Sequence, residues 1–175
     1  MAEEEGADAI GVIVCSDSKR SIPIRRAREI FEALSPATEK ICVTNTKNQG
    51  DLAVIMSLKP DAIQLSEEIE VSEDIRTKIY RSVSDENSIP KDCDCIVIDQ
   101  SRGMGISYDK DFAIKVADRS GVPVILAGGL TPDNVGDAIK EISPYAVDVS
   151  SGVEKSKGIK DRQKLRKFIA ICREA

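Results

Sequence analysis

The sequence predicts an α/β fold: a TIM-type (β/α)8 barrel, incomplete at its N-terminus, with about seven strands. Three observations carry that expectation. Short runs rich in β-branched residues recur along the 175 residues, most of them separated by helical patterns. Several runs are apolar on both faces, as strands of a buried parallel sheet are. Glycine-bearing turns follow the last two runs, and barrels usually place a phosphate site after their last two strands. Counting back from those turns leaves the first βα unit missing. An open, doubly wound sheet is the alternative; the position of the turns decides for the barrel.

The elements follow in order. Met1–Gly6 reads as the end of a helix. Strands are expected near Ala9–Cys15, Ile41–Asn45, Ala62–Leu65, Ile79–Val83, Cys95–Asp99, Val124–Ala127 and Ala146–Val149. Behind Pro23, which suits a first helical position, Ile24, Ala27, Phe31 and Leu34 share one helix face. The links after Ile79–Val83 and Cys95–Asp99 read as short, which leaves helices there open. Thr131 is expected to cap a helix carrying Val135, Ala138, Ile139 and Ile142. Leu165, Phe168, Ile169 and Cys172 recur at i, i+3, i+4 and i+7 in a final helix. With no linker or repeat, residues 1–175 read as one domain.

Composition narrows the function classes. The net charge of −5 suggests no nucleic-acid or anionic-membrane partner. No apolar run approaches the roughly 20 residues of a spanning helix. The start, Met-Ala-Glu-Glu-Glu, lacks an apolar signal core, so a cytoplasmic location is expected. Five cysteines (Cys15, Cys42, Cys93, Cys95 and Cys172) match no zinc spacing and read as reduced thiols. The absence of histidine removes the commonest general base and metal ligand. Acid–base chemistry must therefore come from Asp, Glu, Cys, Lys or Tyr.

The two turns are the first site candidates. Leu126-Ala-Gly128-Gly129-Leu130 and Asp148-Val-Ser-Ser151-Gly152 each end an apolar run, and adjacent turns of this kind offer backbone N–H groups to a phosphate. One such turn alone is ordinary strand-to-helix chemistry; two in succession are a stronger signal. Asp99 ends a strand at the edge where barrel catalytic groups project. Gly103 and Gly105 form a looser loop, either a lid or a turn. Arg20, within Ser18-Lys-Arg-Ser21, reads from its neighbours alone as part of a solvated basic loop. Cys15 reads as a core thiol that could instead face the site.

Taken together, these motifs resemble phosphoribosylanthranilate isomerase, the tryptophan-pathway family. Leu126-Ala-Gly-Gly-Leu-Thr-Pro-Asp-Asn-Val135 looks like its seventh-strand motif. Asp148-Val-Ser-Ser-Gly-Val-Glu154 with Gly158-Ile-Lys-Asp161 looks like its eighth. Gly6-Ala-Asp-Ala-Ile-Gly11, Asp61-Ala-Ile-Gln-Leu65 and Ile98-Asp99 resemble the second, fourth and sixth strands. The resemblance implies an Amadori rearrangement of N-(5-phosphoribosyl)anthranilate without metal or cofactor. It implies Asp99 as general acid, Arg20 on the anthranilate carboxylate, and Gln64 and Asp148 as substrate contacts. The phosphate would fall to Gly128, Gly129, Ser151 and Gly152.

Two departures accompany the resemblance. The family's general base is a cysteine in a first-strand Lys-Ile-Cys-Gly motif, which has no counterpart ahead of Gly6. Lys40-Ile-Cys42 looks similar but sits where the third strand belongs, so Cys42 and Cys15 are weak substitutes. Ser66-Glu67 stands where the family has His-Gly. The expectation is an isomerase that is weak or inactive in this form. The alternative is a non-catalytic phosphosugar-binding barrel relative. Another phosphosugar barrel, such as a thiamine-phosphate or indoleglycerol-phosphate synthase, is disfavoured by Asp-Val-Ser-Ser-Gly-Val-Glu. The expected ligand is a small phosphoribosyl compound. Unpaired sheet edges predict a homodimer or strand-swapped assembly.

Overall fold

The computed structural model describes residues 1–66, 68–72, 76–86, 88–99 and 108–175. Among these residues seven strands form one parallel sheet in sequential order: β1 (Ala9–Ile13), β2 (Glu39–Thr44), β3 (Ala62–Leu65), β4 (Lys78–Val83), β5 (Cys95–Ile98), β6 (Val124–Leu126) and β7 (Ala146–Val147). An antiparallel hairpin follows, β8 (Glu154–Ser156) with β9 (Ile159–Lys160). The helices are α1 (Ile24–Glu32), α2 (Gln49–Met56), α3 (Lys110–Arg119), α4 (Val135–Ile142) and α5 (Arg162–Glu174). None of the described helices is long and apolar enough to cross a membrane.

The two faces of the sheet carry different residues because side chains alternate along a strand. One face packs under the helices. Val12, Cys42, Ile63 and Leu65 meet Ala27, Phe31, Leu52 and Ile55, while Ile96, Ile98 and Leu126 meet Phe112, Val116, Val135 and Phe168. The opposite face buries a smaller cluster of Ala62, Tyr80, Cys95, Val97 and Ala127 with Ile41 and Ile125 beside it. That second cluster is the interior of an incomplete barrel, and the same alternation brings Gln64, Ser82 and Asp99 to its C-terminal rim.

β1 and β7 are the two edges of this sheet. Side chains tie the edge regions together at both ends. Near the C-terminal rim, Arg20 after β1 meets Glu154 after β7. At the other end, the short 3-10 helix Glu3–Glu5 lies against α5, where Glu5 pairs with Arg162 and Arg166, and Glu4 also pairs with Arg162. Glu3 reaches the other way and accepts from the Ser35 N–H at 2.8 Å, before β2. Gly6 closes the 3-10 turn at φ 100°, a conformation that glycine adopts without strain.

Some element boundaries differ from those read in the sequence. β1 ends at Ile13 rather than Cys15, because Cys15 turns into the left-handed region at φ 47°. α4 begins at Val135 behind Asn134, not behind Thr131. Thr131 instead starts a preceding turn, where its Oγ1 accepts from Asp133 N–H at 3.2 Å and its carbonyl from Val135 N–H at 3.1 Å. The β8–β9 hairpin left no trace in the periodicity, since strands of three and two residues are too short to show one.

Candidate active site

Parallel strands put all their C-terminal ends on one rim, so loops far apart in sequence meet there. Arg20 stands in the loop after β1, Gln64 on β3, Asp99 directly after β5, Gly128 and Gly129 after β6, and Asp148, Ser151 and Gly152 after β7. Gln64 Nε2 donates to Ser82 Oγ at 3.1 Å across the β3–β4 pair, which fixes its amide on the inner face. Gly103, Gly105 and Glu67 lie outside the described residues.

The two glycine-bearing turns are packed against each other. Gly128 and Gly129 both take left-handed conformations, at φ 88° and 63°. The turn they open is pinned by Asn134, whose Oδ1 accepts from Thr131 N–H at 2.7 Å and whose Nδ2 donates to the Gly129 carbonyl at 3.1 Å. Gly152 then lies so close that a Cβ built on it would stand 1.8 Å from the Leu130 carbonyl oxygen. Only a residue without a side chain lets the β7 turn, with its short 3-10 helix Ser151–Val153, nest there. The contact makes one cradle of the two turns.

An ionic cluster occupies the rim between β7 and β1. Arg20 grips Glu154 with two hydrogen bonds, Nε to Oε1 at 3.2 Å and Nη2 to Oε2 at 3.0 Å. That fork holds the Glu154 carboxyl below its ordinary value, with burial opposing and Lys160 assisting. Lys160 Nζ lies 3.5 Å from Glu154 Oε1 and donates to the Ser150 carbonyl at 2.7 Å. Burial lowers the Lys160 ammonium, against the pull of Glu154 and Asp148. The Asp148 carboxyl is raised, first by the protein packed around it and then by the charge of Asp99, with Lys160 opposing. Asp148 is nevertheless an exposed residue, just past the β7 edge. The rim thus combines two neighbouring carboxyl groups, two cations sharing one glutamate, and a cradle of backbone turns.

Four of the five thiols lie away from the rim, and Cys15 stands in the loop after β1. Cys42 is 0% exposed and faces the helices. Burial pushes its thiol up to about 12, so at neutral pH it is no base. Cys15, turned by its left-handed backbone, packs beside the same helix-facing cluster, and burial raises its thiol as well. Cys93 precedes β5, Cys95 begins it, and Cys172 is on α5. Among the described residues no group of three or more His, Cys, Asp or Glu could hold a metal ion.

The sequence alone assigns no part to Glu154, Lys160 or Asn134. Glu154 and Lys160 lie inside quoted motifs, but a partner 134 residues away leaves no local signal at Arg20. The turn-locking asparagine is legible only as a residue type that favours turns.

Three comparisons bear on this arrangement. The profile of the family described as N-(5′-phosphoribosyl)anthranilate (PRA) isomerase matches residues 1–171. A protein of Methanoregula boonei named N-(5′-phosphoribosyl)anthranilate isomerase is 49% identical over 176 residues, an alignment that spans 100% of this chain and 90% of that one. The crystal structure of phosphoribosyl anthranilate isomerase from Thermus thermophilus superposes with a TM-score of 0.85 at 27% identity, covering 99% of this chain and 91% of the other. A phosphoribosyl anthranilate isomerase crystallised in complex with reduced 1-(o-carboxyphenylamino)-1-deoxyribulose 5-phosphate superposes at 0.82 with 31% identity, covering 99% and 91%.

Proposed function

The chain belongs to the N-(5′-phosphoribosyl)anthranilate isomerase family, and from that premise we propose how its residues divide the work. The reaction is the Amadori rearrangement of N-(5-phosphoribosyl)anthranilate to the 1-deoxyribulose 5-phosphate product, a step of tryptophan biosynthesis. An acid must open the ribose ring, and a base must take the proton from C2′. Asp99 is the acid: it stands at the rim beside Asp148, within reach of a sugar held by the cradle. Gly128, Gly129, Ser151 and Gly152 offer backbone and hydroxyl donors to the 5′-phosphate. Arg20 meets the anthranilate carboxylate, for which a planar guanidinium is suited. Gln64 and Asp148 contact the sugar. The observation that carries this reading is the nesting of Gly152 on the Leu130 carbonyl, which joins the two turns on the rim that also bears Asp99 and Arg20.

The base is not among the five cysteines. Cys42 faces the helices, Cys15 packs beside it, and the other three lie off the rim. Low turnover from these residues alone follows. The same observation supports a second reading, a phosphosugar-binding relative that does not isomerise.

Calorimetric titration with reduced 1-(o-carboxyphenylamino)-1-deoxyribulose 5-phosphate tests the site. One molecule bound per chain, displaced by excess inorganic phosphate, is the expected result. No binding, or binding indifferent to phosphate, removes the assignment of the cradle.

Among the described residues β1 and β7 are the edges of the sheet, and edge strands can pair with another chain. A dimer in sedimentation equilibrium at micromolar concentration is the expected state. A monomer across the accessible range would show that the side-chain ties between the edges suffice.

A further inference from the structure

We propose that Glu154 is a positioning residue for the isomerase reaction: it sets the plane and direction of the Arg20 guanidinium so that the edge of that group not engaged by Glu154 receives the substrate's ring carboxylate. The proposal rests on the functional reading above.

A guanidinium has five N–H donors in one plane. Glu154 takes the edge formed by Nε and one Nη2 hydrogen. The other edge, Nη1 with the second Nη2 hydrogen, is not engaged by Glu154, and it has the spacing that suits a carboxylate. Two-point attachment fixes both the tilt and the rotation of the plane, which one hydrogen bond cannot do. A long side chain on a loop otherwise loses rotamer freedom when a ligand binds. Holding Arg20 in place beforehand moves that loss from the binding step to folding.

Glu154 is itself held. It begins β8 and pairs in register with Lys160 on β9. Its carbonyl accepts from Lys164 Nζ at 3.0 Å, and its side chain is 6% exposed against 17% for Arg20. Lys160 supplies a second cation to the same carboxylate at 3.5 Å. Glu154 divides its charge between two cations, so less of it opposes an anionic group at the outer edge of Arg20. A glutamate acting only as a tie between the sheet edges would need neither the two-point grip nor the second cation.

The test compares two ligands on the 175-residue chain. One is reduced 1-(o-carboxyphenylamino)-1-deoxyribulose 5-phosphate; the other is its phenylamino counterpart, which lacks the ring carboxylate. Glu154→Gln is expected to weaken the first by about tenfold, the size of one charge-assisted hydrogen bond, and the second by less than about twofold. Glu154→Asp keeps the charge and is expected to recover part of the loss. It also carries the comparison if Glu154→Gln does not fold. Equal weakening of both ligands would reduce Glu154 to a structural tie and overturn the proposal, as would no change in either. If the wild-type chain binds neither ligand, the functional reading fails and takes this proposal with it. If it binds both and the ratio is unmoved by Glu154→Gln, only the positioning role fails.

Discussion

Asp99→Asn is expected to lower kcat/KM by about 10²–10⁴-fold, the usual contribution of a positioned general acid or base, in whichever form of the enzyme turns over. The substitution preserves volume and hydrogen-bonding capacity, but an amide has no transferable proton for the ribose ring oxygen. The position explains why this aspartate is chosen. It follows the four buried residues of β5 directly and so projects from the rim rather than from a mobile tip. It also lies close enough to Asp148 for its charge to raise that carboxyl, which places two carboxyl groups at the mouth. The affinity for reduced 1-(o-carboxyphenylamino)-1-deoxyribulose 5-phosphate should change little, because the proposal gives phosphate and ring carboxylate to other groups. Steady-state kinetics beside calorimetry separates the two effects. Turnover retained in Asp99→Asn would remove the acid role.

Gly152→Ala should be the most damaging small substitution. Its Cβ would stand 1.8 Å from the Leu130 carbonyl oxygen, 2.9 Å from the Leu130 carbonyl carbon and 3.1 Å from Thr131 Cα. All three are backbone atoms, so no side chain can rotate away. The β6 and β7 turns must separate, and the proposed phosphate cradle opens with them. Overpacking of this kind costs typically about 1–3 kcal/mol and occasionally more, and the upper end applies here. For a domain of this size that is a fall in Tm of about 6 °C or more, together with loss of phosphate binding. Gly158 makes the contrast: it has φ +79° and nothing within 4 Å of a built Cβ. Gly158→Ala therefore meets backbone strain without a clash, at a cost of roughly 1 kcal/mol. Thermal unfolding of both variants, with a phosphate titration of each, checks the difference. An unchanged Tm and intact phosphate binding in Gly152→Ala would refute the joined cradle.

The strands were legible because parallel strands covered on one side by helices and on the other by a barrel interior must be apolar throughout. Cys95-Ile-Val-Ile98, buried along its whole length, is the plainest example. The two turns were legible because glycine, serine and proline punctuate strand ends for stereochemical reasons. What escaped was long-range. Whether Cys42 faces helices or barrel interior depends on the register of β2 against β1 and β3, which a one-residue slip would reverse. The pairing of Arg20 with Glu154 depends on where a loop and a short hairpin, 134 residues apart, come to rest. Charged residues in loops look alike in sequence whether they are solvated or locked. The exchange of Thr131 for Asn134 as the residue preceding α4 is a choice between two good capping types three positions apart.

The central claim is that this rim is an isomerase site whose proton-taking base is none of the chain's own thiols. An isomerase assay on the 175-residue chain tests it most directly. The phosphoribosyl substrate is generated in situ, its fluorescence followed, and the wild type compared with a variant carrying Cys15→Ser and Cys42→Ser. Slow turnover above the enzyme-free rate, equal in the two proteins, is the predicted result. Turnover lost in the double-serine variant would restore a thiol as base, and turnover no faster than the enzyme-free rate would make the chain a phosphosugar-binding relative; either contradicts the claim.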